Sequence, residues 1–315
     1  MMTINSWHKH ARSIKRTVLL LMLFILPLAL PVNAQQPPAP SADQNAAPDT
    51  AVLANMNNRR NPLIQITTNV GDIWIELFPQ AAPANVEHLL TLIGNEEWRQ
   101  RLYENNTFHR IERNLFIQTG AQHEQPTTQR QQPPAVPYVS DEINALGLGL
   151  EQLPALQADG QPHPWLNISD ADDFRTRLLR PLYDQLGINT AEELADRQNE
   201  VLSTLAGMNL LQVHEMLGYE YNSRLPSRRP LSGSVVMVNR GPGSNQSEFA
   251  ILLADMPWLT GTHTVIGQMV GGETPATLIS QRRPGNIFIS SIGLATPGQP
   301  VGVDSEISQA ARGLQ

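Results

Sequence analysis

Between residues 63 and 119 the spacing of apolar and polar positions changes several times, and each change predicts an element. Leu63-Ile-Gln-Ile-Thr-Thr68 and Ile73-Trp-Ile-Glu-Leu-Phe78 flank Asn69-Val-Gly-Asp72, which reads as two strands about a tight turn whose unusual angles fall to Gly71. Val86, Leu89, Leu90 and Ile93 then recur at helical spacing between Pro83 and Gly94, with proline in the first turn and glycine near the end. Two short strands, Thr107–Ile111 and Leu115–Thr119, precede a Gln/Pro-rich loop at 122–137. Strand character returns after Leu231 in Ser234–Val238, Phe249–Leu253, Thr264–Val270 and Asn286–Ile292, with a short helix opened by Thr274 and Pro275. Many short strands with few crossovers predict a mainly-β fold, a closed eight-stranded antiparallel barrel capped by two helices.

Residues 145–228 keep a different period. Phe174, Leu178, Leu182 and Leu186 recur every four positions after a cap at Ser169 or Asp170, and Gly187 ends the run. Thr190-Ala-Glu-Glu193 is a capping box for a second helix with Leu194, Val201, Leu205 and Met208 on its inner face. A third helix spans Asn209 to Leu217 and stops at Gly218. The stretch holds 6 bases and 12 acids. It reads as an all-α insertion at 145–228 that interrupts a domain spanning 62–296.

The N-terminal pattern bears on compartment. Lys9, Arg12, Lys15 and Arg16 precede the apolar run from Thr17 to Val32, and Ala34 is a small residue at its exit, which predicts a secretory signal over 1–34 cleaved after Ala34. An uncleaved membrane anchor is the competing reading; Pro27, Pro31 and a clean apolar run shorter than about 18 residues count against it. Residues 35–61, rich in Pro, Ala, Gln and Asn, read as a flexible tether, and 297–315 as a C-terminal tail. The expected destination is outside the cytoplasm, in the periplasm, with no stable membrane insertion once the signal is removed. Four of the 22 Lys and Arg lie in 1–34 with no acid, so the rest of the chain carries 18 bases against 29 acids, a net of −11. Such a surface does not attract nucleic acid or anionic lipid. The absence of cysteine from all 315 residues excludes disulfides, a thiol nucleophile and thiolate metal ligation.

Familiar catalytic groupings are missing: no phosphate-cradling glycine loop, no G-x-S-x-G, no H-E-x-x-H. The histidines are scattered, so neither metal nor cofactor is expected. Two dense segments remain, Thr107-Phe-His-Arg-Ile-Glu-Arg-Asn-Leu-Phe-Ile-Gln-Thr-Gly120 and Val236-Met-Val-Asn-Arg-Gly-Pro-Gly-Ser-Asn-Gln-Ser-Glu-Phe249, the latter running on to Trp258-Leu-Thr-Gly-Thr-His263. With Gly71-Asp-Ile, Ala82-Pro83 and Gly267, their order resembles the cyclophilin family over roughly 62–143 and 230–293. Pro137-Tyr-Val-Ser-Asp-Glu-Ile-Asn144 resembles the short acidic element before that family's second half. The resemblance implies a groove that binds proline-containing polypeptides and accelerates rotation about X-Pro bonds. It implies that Arg110 is the catalytic donor, that Gln118 and the backbone of Asn239 hold the peptide, and that Phe116 and Leu259 wall the proline pocket, with Trp258 and His263 at its rim. Leu115, Val238, Glu248 and Ala250 complete the implied substrate-contacting set.

The chemistry fits. An X-Pro bond rotates over a barrier of about 20 kcal/mol without any bond breaking, so no nucleophile or titrating base is needed. A permanently charged donor aimed at the prolyl nitrogen favours the twisted transition state, and arginine is such a donor.

Three positions depart from the implied groove. Leu115 stands where a phenylalanine is usual, Ala250 replaces a pocket-lining aromatic, and Glu248 replaces a peptide-binding glutamine, with an anion expected to pair with Arg110. Two functions from different classes follow: an isomerase for exported proteins, or a weakly catalytic or inactive proline-peptide binding and chaperone module that docks a protein partner through its helical insert. A third expectation is that the insert borders the groove as a lid.

Overall fold

The computed structural model describes residues 48–121 and 135–295. The expected signal, residues 35–47 of the tether, residues 122–134 of the Gln/Pro-rich loop and the tail lie outside the described residues.

Eight strands form one antiparallel sheet: β1 (Leu63–Thr68), β2 (Gly71–Leu77), β3 (Arg110–Glu112), β4 (Phe116–Thr119), β5 (Ser234–Met237), β6 (Phe249–Leu252), β7 (Val265–Gly271) and β8 (Ile289–Ala295). Their spatial order is β3-β4-β6-β5-β7-β2-β1-β8. The turn between β1 and β2 is the expected one, with Gly71 at φ +123° opposite Thr68.

The sheet is not the closed barrel expected from the strand count. It is an open, curled half-barrel whose edges stand 14 Å apart. The cause lies in the edge strand β3, which has only three residues in an exposed–intermediate–exposed pattern and, among the described residues, pairs only with β4. The chain leading to β3 touches the opposite edge at one end alone, where the main-chain N–H of Asn105 donates to the carbonyl of Ile289 (2.8 Å) and that of Ile289 to the carbonyl of Asn106 (2.9 Å). Three residues are too few to carry that contact into a ladder.

Strand alternation gives the sheet two working faces. Ile117, Val235, Met237, Phe249 and Ile251 point into the main core, which also holds Ile64, Ile66, Ile73, Ile75 and Phe108. Helix α2 (Pro83–Gly94) supplies Val86, Leu89 and Ile93 to this core from one side of its amphipathic pattern. The intervening residues Phe116, Val236, Ala250 and Leu252 point the other way and join Met256 and Val265 in a separate apolar cluster.

Two helices depart from the sequence expectation. Helix α1 (Thr50–Asn55), capped by Asp49, falls within the stretch read as a tether, and its Val52 is buried against Leu63, Trp74 and Val270 on the outer face of β1, β2 and β7. Helix α3 (Glu96–Leu102) follows α2 after Asn95, whose side chain accepts from the N–H of Trp98.

Between β4 and β5 lie α4 (Ala171–Phe174), α5 (Arg180–Leu186), α6 (Ala191–Asp196), α7 (Gln198–Gly207) and α8 (Leu210–Met216). Asp170 caps α4, and both Thr190 and Asn209 form capping boxes, at α6 and α8. The turn at Arg175–Leu179 between α4 and α5 widens to a π-helix just before Pro181, a residue with no N–H to give to the preceding turn. Leu178, Leu182, Val201, Leu205, Leu210 and Val213 form a core of their own. The last helix, α9 (Glu273–Ser280), returns to the sheet and buries Ala276 and Ile279 in the main core.

Candidate active site

The register of the sheet assembles the candidate residues. Arg110 pairs with Gln118, Gln118 with Ala250, Ala250 with Val236 and Val236 with Val265, so one row crosses β3, β4, β6, β5 and β7. Side chains directly opposite one another in antiparallel strands share a face. A guanidinium, an amide and an apolar floor therefore lie along a single line. One row over, Phe116 pairs with Leu252 and adds an aromatic ring to the floor.

The guanidinium of Arg110 sits over the ring of Phe116, 4.9 Å from its centroid. The ring lies in the apolar cluster, against which Val238, Trp258 and Leu259 also pack. Trp258 and Leu259 belong to a single helical turn, Pro257–Leu259, started by proline. The Arg110 side chain is 58% exposed, and its only ion pair among the described residues is to Glu112 at 3.8 Å, also on the surface. A contact that long and wet is worth little, so the donors face solvent at the edge of an apolar floor.

Glu248 does not pair with Arg110 as expected. Its Oε2 accepts from Gln118 Nε2 at 2.5 Å and lies 3.2 Å from His109 Nε2, while Oε1 stands 4.0 Å from Arg240. The hydrogen bond with His109 holds the carboxyl below its usual range; burial pulls the other way, and Gln118 adds to the lowering. Strand order explains the partner: β4 lies between β3 and the residues that open β6, so Glu248 meets the buried amide of Gln118 first, whereas Arg110 leans outward across Phe116.

Leu115 is not brought into the floor. It lies in the β3–β4 turn, with its side chain exposed and its main chain bonded to Glu112 and Leu253. Ala250 is buried within the floor, with Phe116 among its neighbours.

Asn239 is held by its side chain: Nδ2 donates to the carbonyl of Thr262 (2.7 Å) and approaches Asp141 Oδ1 (3.4 Å). No main-chain hydrogen bond involves Asn239 among the described residues, although Val238 beside it donates to the carbonyl of Glu248. His263 is part-buried, its Nδ1 lies 2.9 Å from Thr262 Oγ1, and burial pushes its pKa down to about 4, so it is neutral at pH 7.

Asp141 is the residue whose role sequence reasoning missed. Its carboxylate accepts from Gly243 N–H (2.8 Å) and Asn245 Nδ2 (3.1 Å) as well as Asn239, and burial raises its pKa. The neighbouring Glu142 accepts from Ala84 N–H, Asn85 N–H and Asn85 Nδ2 at the start of α2. Together they tie the 239–245 loop to α2. The acidic pair in Pro137–Asn144 was the available signal, but its partners lie about a hundred residues on in one direction and sixty in the other, beyond the reach of any local pattern.

A family model described as cyclophilin type peptidyl-prolyl cis-trans isomerase/CLD matches residues 63–287. A peptidyl-prolyl cis-trans isomerase of Schizosaccharomyces pombe is 49% identical over 41 residues, 13% of this chain and 26% of its own. Another, of Arabidopsis thaliana, is 24% identical over 206 residues, 65% of this chain and 19% of its own. Each match spans well under half of the relative's own length. A crystal structure of a Cryptosporidium parvum cyclophilin type isomerase, in the presence of the dipeptide ala-pro, aligns with a TM-score of 0.39 at 18% identity, covering 74% of this chain and 99% of that one.

Proposed function

Because the chain belongs to the cyclophilin-type peptidyl-prolyl cis-trans isomerase family, we propose that it accelerates rotation of X-Pro bonds in polypeptides, with Arg110 as the donor to the prolyl nitrogen. The observation that carries this reading is the guanidinium placed 4.9 Å over Phe116, at the rim of the apolar floor. A prolyl ring seated on Phe116, Val238, Trp258 and Leu259 is held out of water while the acyl side of the bond turns. The twisted bond loses amide conjugation, its nitrogen becomes a better acceptor, and Arg110 is the donor beside it. The main chain of Asn239, unpaired among the described residues, suits an extended peptide running past the floor.

One charge-assisted hydrogen bond is worth about 1.5–3 kcal/mol, roughly a ten- to hundredfold change in rate. Arg110→Ala is therefore expected to lower kcat/KM on an X-Pro peptide by that factor while leaving the peptide's Kd within about twofold. Equal rates for wild type and Arg110→Ala would remove the catalytic role.

One observation favours a second reading, a weakly catalytic proline-peptide binding module: the amide of Gln118, implied to hold the substrate, is engaged by Glu248. Glu248→Gln, in the same assay, removes the charge that fixes that amide. A rise in kcat/KM of several-fold supports a restrained isomerase; no rise, with peptide binding retained, supports the binding module.

The basic and apolar N-terminal pattern supports export, with the periplasm as the place of action and proline-containing exported chains as substrates. N-terminal sequencing of the protein recovered outside the cytoplasm is expected to begin at Gln35. A mature chain beginning at the initiator methionine in the cytoplasmic fraction would contradict export.

A further inference from the structure

The loop that carries Trp258, Leu259 and His263 has two sides. One side meets the apolar floor, and the carbonyl of Thr262 within the loop accepts from Asn239. The other side meets the helical stretch between β4 and β5. There Tyr221 Oη donates to the carbonyl of Gly261 at 2.9 Å. Gly261 takes φ +91°, and a Cβ on it would stand 2.4 Å from Leu150 Cδ2 and 2.6 Å from His214 Nδ1. The short helical turn Pro164–Leu166 packs on Pro257–Leu259. Leu150 is fully buried in the helical core, and His214 on α8 is 2% exposed.

From this two-sided packing we infer that the helical stretch is a strut for the proline-binding floor, and that Tyr221 is a positioning residue. Tyr221 touches no substrate; it fixes the carbonyl of Gly261, and through it the places of Leu259 and Trp258 on one side and of Thr262 and Asn239 on the other. The inference deepens the isomerase reading and rests on it for its functional consequence, but its structural part can be read without substrate. A strut differs from a lid in what it does: it sets the floor's shape through the loop rather than covering the peptide.

The test is Tyr221→Phe in the full chain, which keeps the ring and removes one hydroxyl. Loss of one hydrogen bond at the loop is expected to raise the KM and Kd for an Ala-Pro peptide about three- to tenfold with kcat changed less than about twofold. Amide hydrogen exchange of the 257–263 segment, measured without peptide, is expected to quicken while that of the helical core stays unchanged. Gly261→Ala, which forces the loop off Leu150 and His214, is expected to move both readouts further in the same direction. Unchanged exchange and unchanged affinity in Tyr221→Phe would overturn the strut, as would a fall in kcat at constant KM. Quickened exchange in a protein whose wild type neither binds nor isomerises X-Pro peptides would keep the strut and end the isomerase reading.

Discussion

Glu76→Ala is expected to lower the free energy of unfolding by about 3–5 kcal/mol, and Tm by on the order of 10 °C. Glu76 lies in β2 and is completely buried. Its carboxylate accepts four hydrogen bonds, from Asn57 N–H (2.8 Å), Asn57 Nδ2 (2.9 Å), Asn58 N–H (2.9 Å) and Asn61 Nδ2 (2.8 Å). No Lys, Arg or His pairs with it among the described residues, so neutral donors alone stabilise a buried anion. Truncation removes four charge-assisted hydrogen bonds at once and leaves the buried Asn61 amide facing an apolar methyl group, while the donors of Asn57 and Asn58 lie on exposed residues that water can reach. Glu76→Gln keeps the shape but turns an amide donor toward other donors, and should fall between the two. Urea unfolding of the three proteins measures this; a loss under about 1 kcal/mol for Glu76→Ala would mean that 57–61 is not anchored there.

The second large effect is in acid. Burial, reinforced by the positive charge of Arg177, pushes the pKa of His214 to about 4 against an ordinary 6.5. The unfolded chain therefore takes up a proton below 6.5 that the native protein refuses until about 4, and stability falls across that window, then levels off. A difference of that size corresponds to about 3 kcal/mol for this one side chain. His263 acts in the same sense and window through burial alone; burial also lowers the pKa of His163, and that of His88 against a hydrogen bond to the main chain of Gln246. Asp141 opposes them, since burial raises its pKa and native protonation there gains as the pH falls. Urea midpoints at pH 7 and pH 4.5 are expected to differ sharply in wild type and clearly less in His214→Gln. The same acid loss in both proteins would show that His214 is not buried neutral.

Local periods made much of the fold legible. The turn at Gly71, the helix from Pro83 to Gly94, the capping box at Thr190 and the helix that starts at Asn209 are stated by residues a few positions apart, and the structure has each of them. Closure of the sheet was not legible, because it depends on whether the chain around Arg110 and Phe288 pairs over a long ladder, which strand counting cannot decide. Helix α1 was hidden for another reason: Val52 is its one buried residue, and one fully buried position has no period. The floor residues Phe116, Ala250, Trp258 and Leu259 were named from the sequence and lie together. The partner of Glu248 was not, because charge alone suggested Arg110, while Gln118 on the intervening strand takes the carboxylate and Arg110 lies over Phe116. Tyr221 acts across forty residues and carries no motif, and Asp141, although it lies in the acidic element, acts across about a hundred.

Exchange spectroscopy on an Ala-Pro-containing peptide, with the wild-type chain added at a small fraction of the peptide concentration, tests the proposed chemistry most directly. Uncatalysed, the cis and trans signals interconvert in tens to hundreds of seconds. The guanidinium beside the apolar floor predicts cross-peaks between them whose build-up rate scales with added protein. Cis and trans signals that still interconvert at the uncatalysed rate when the floor residues are saturated with peptide would contradict it.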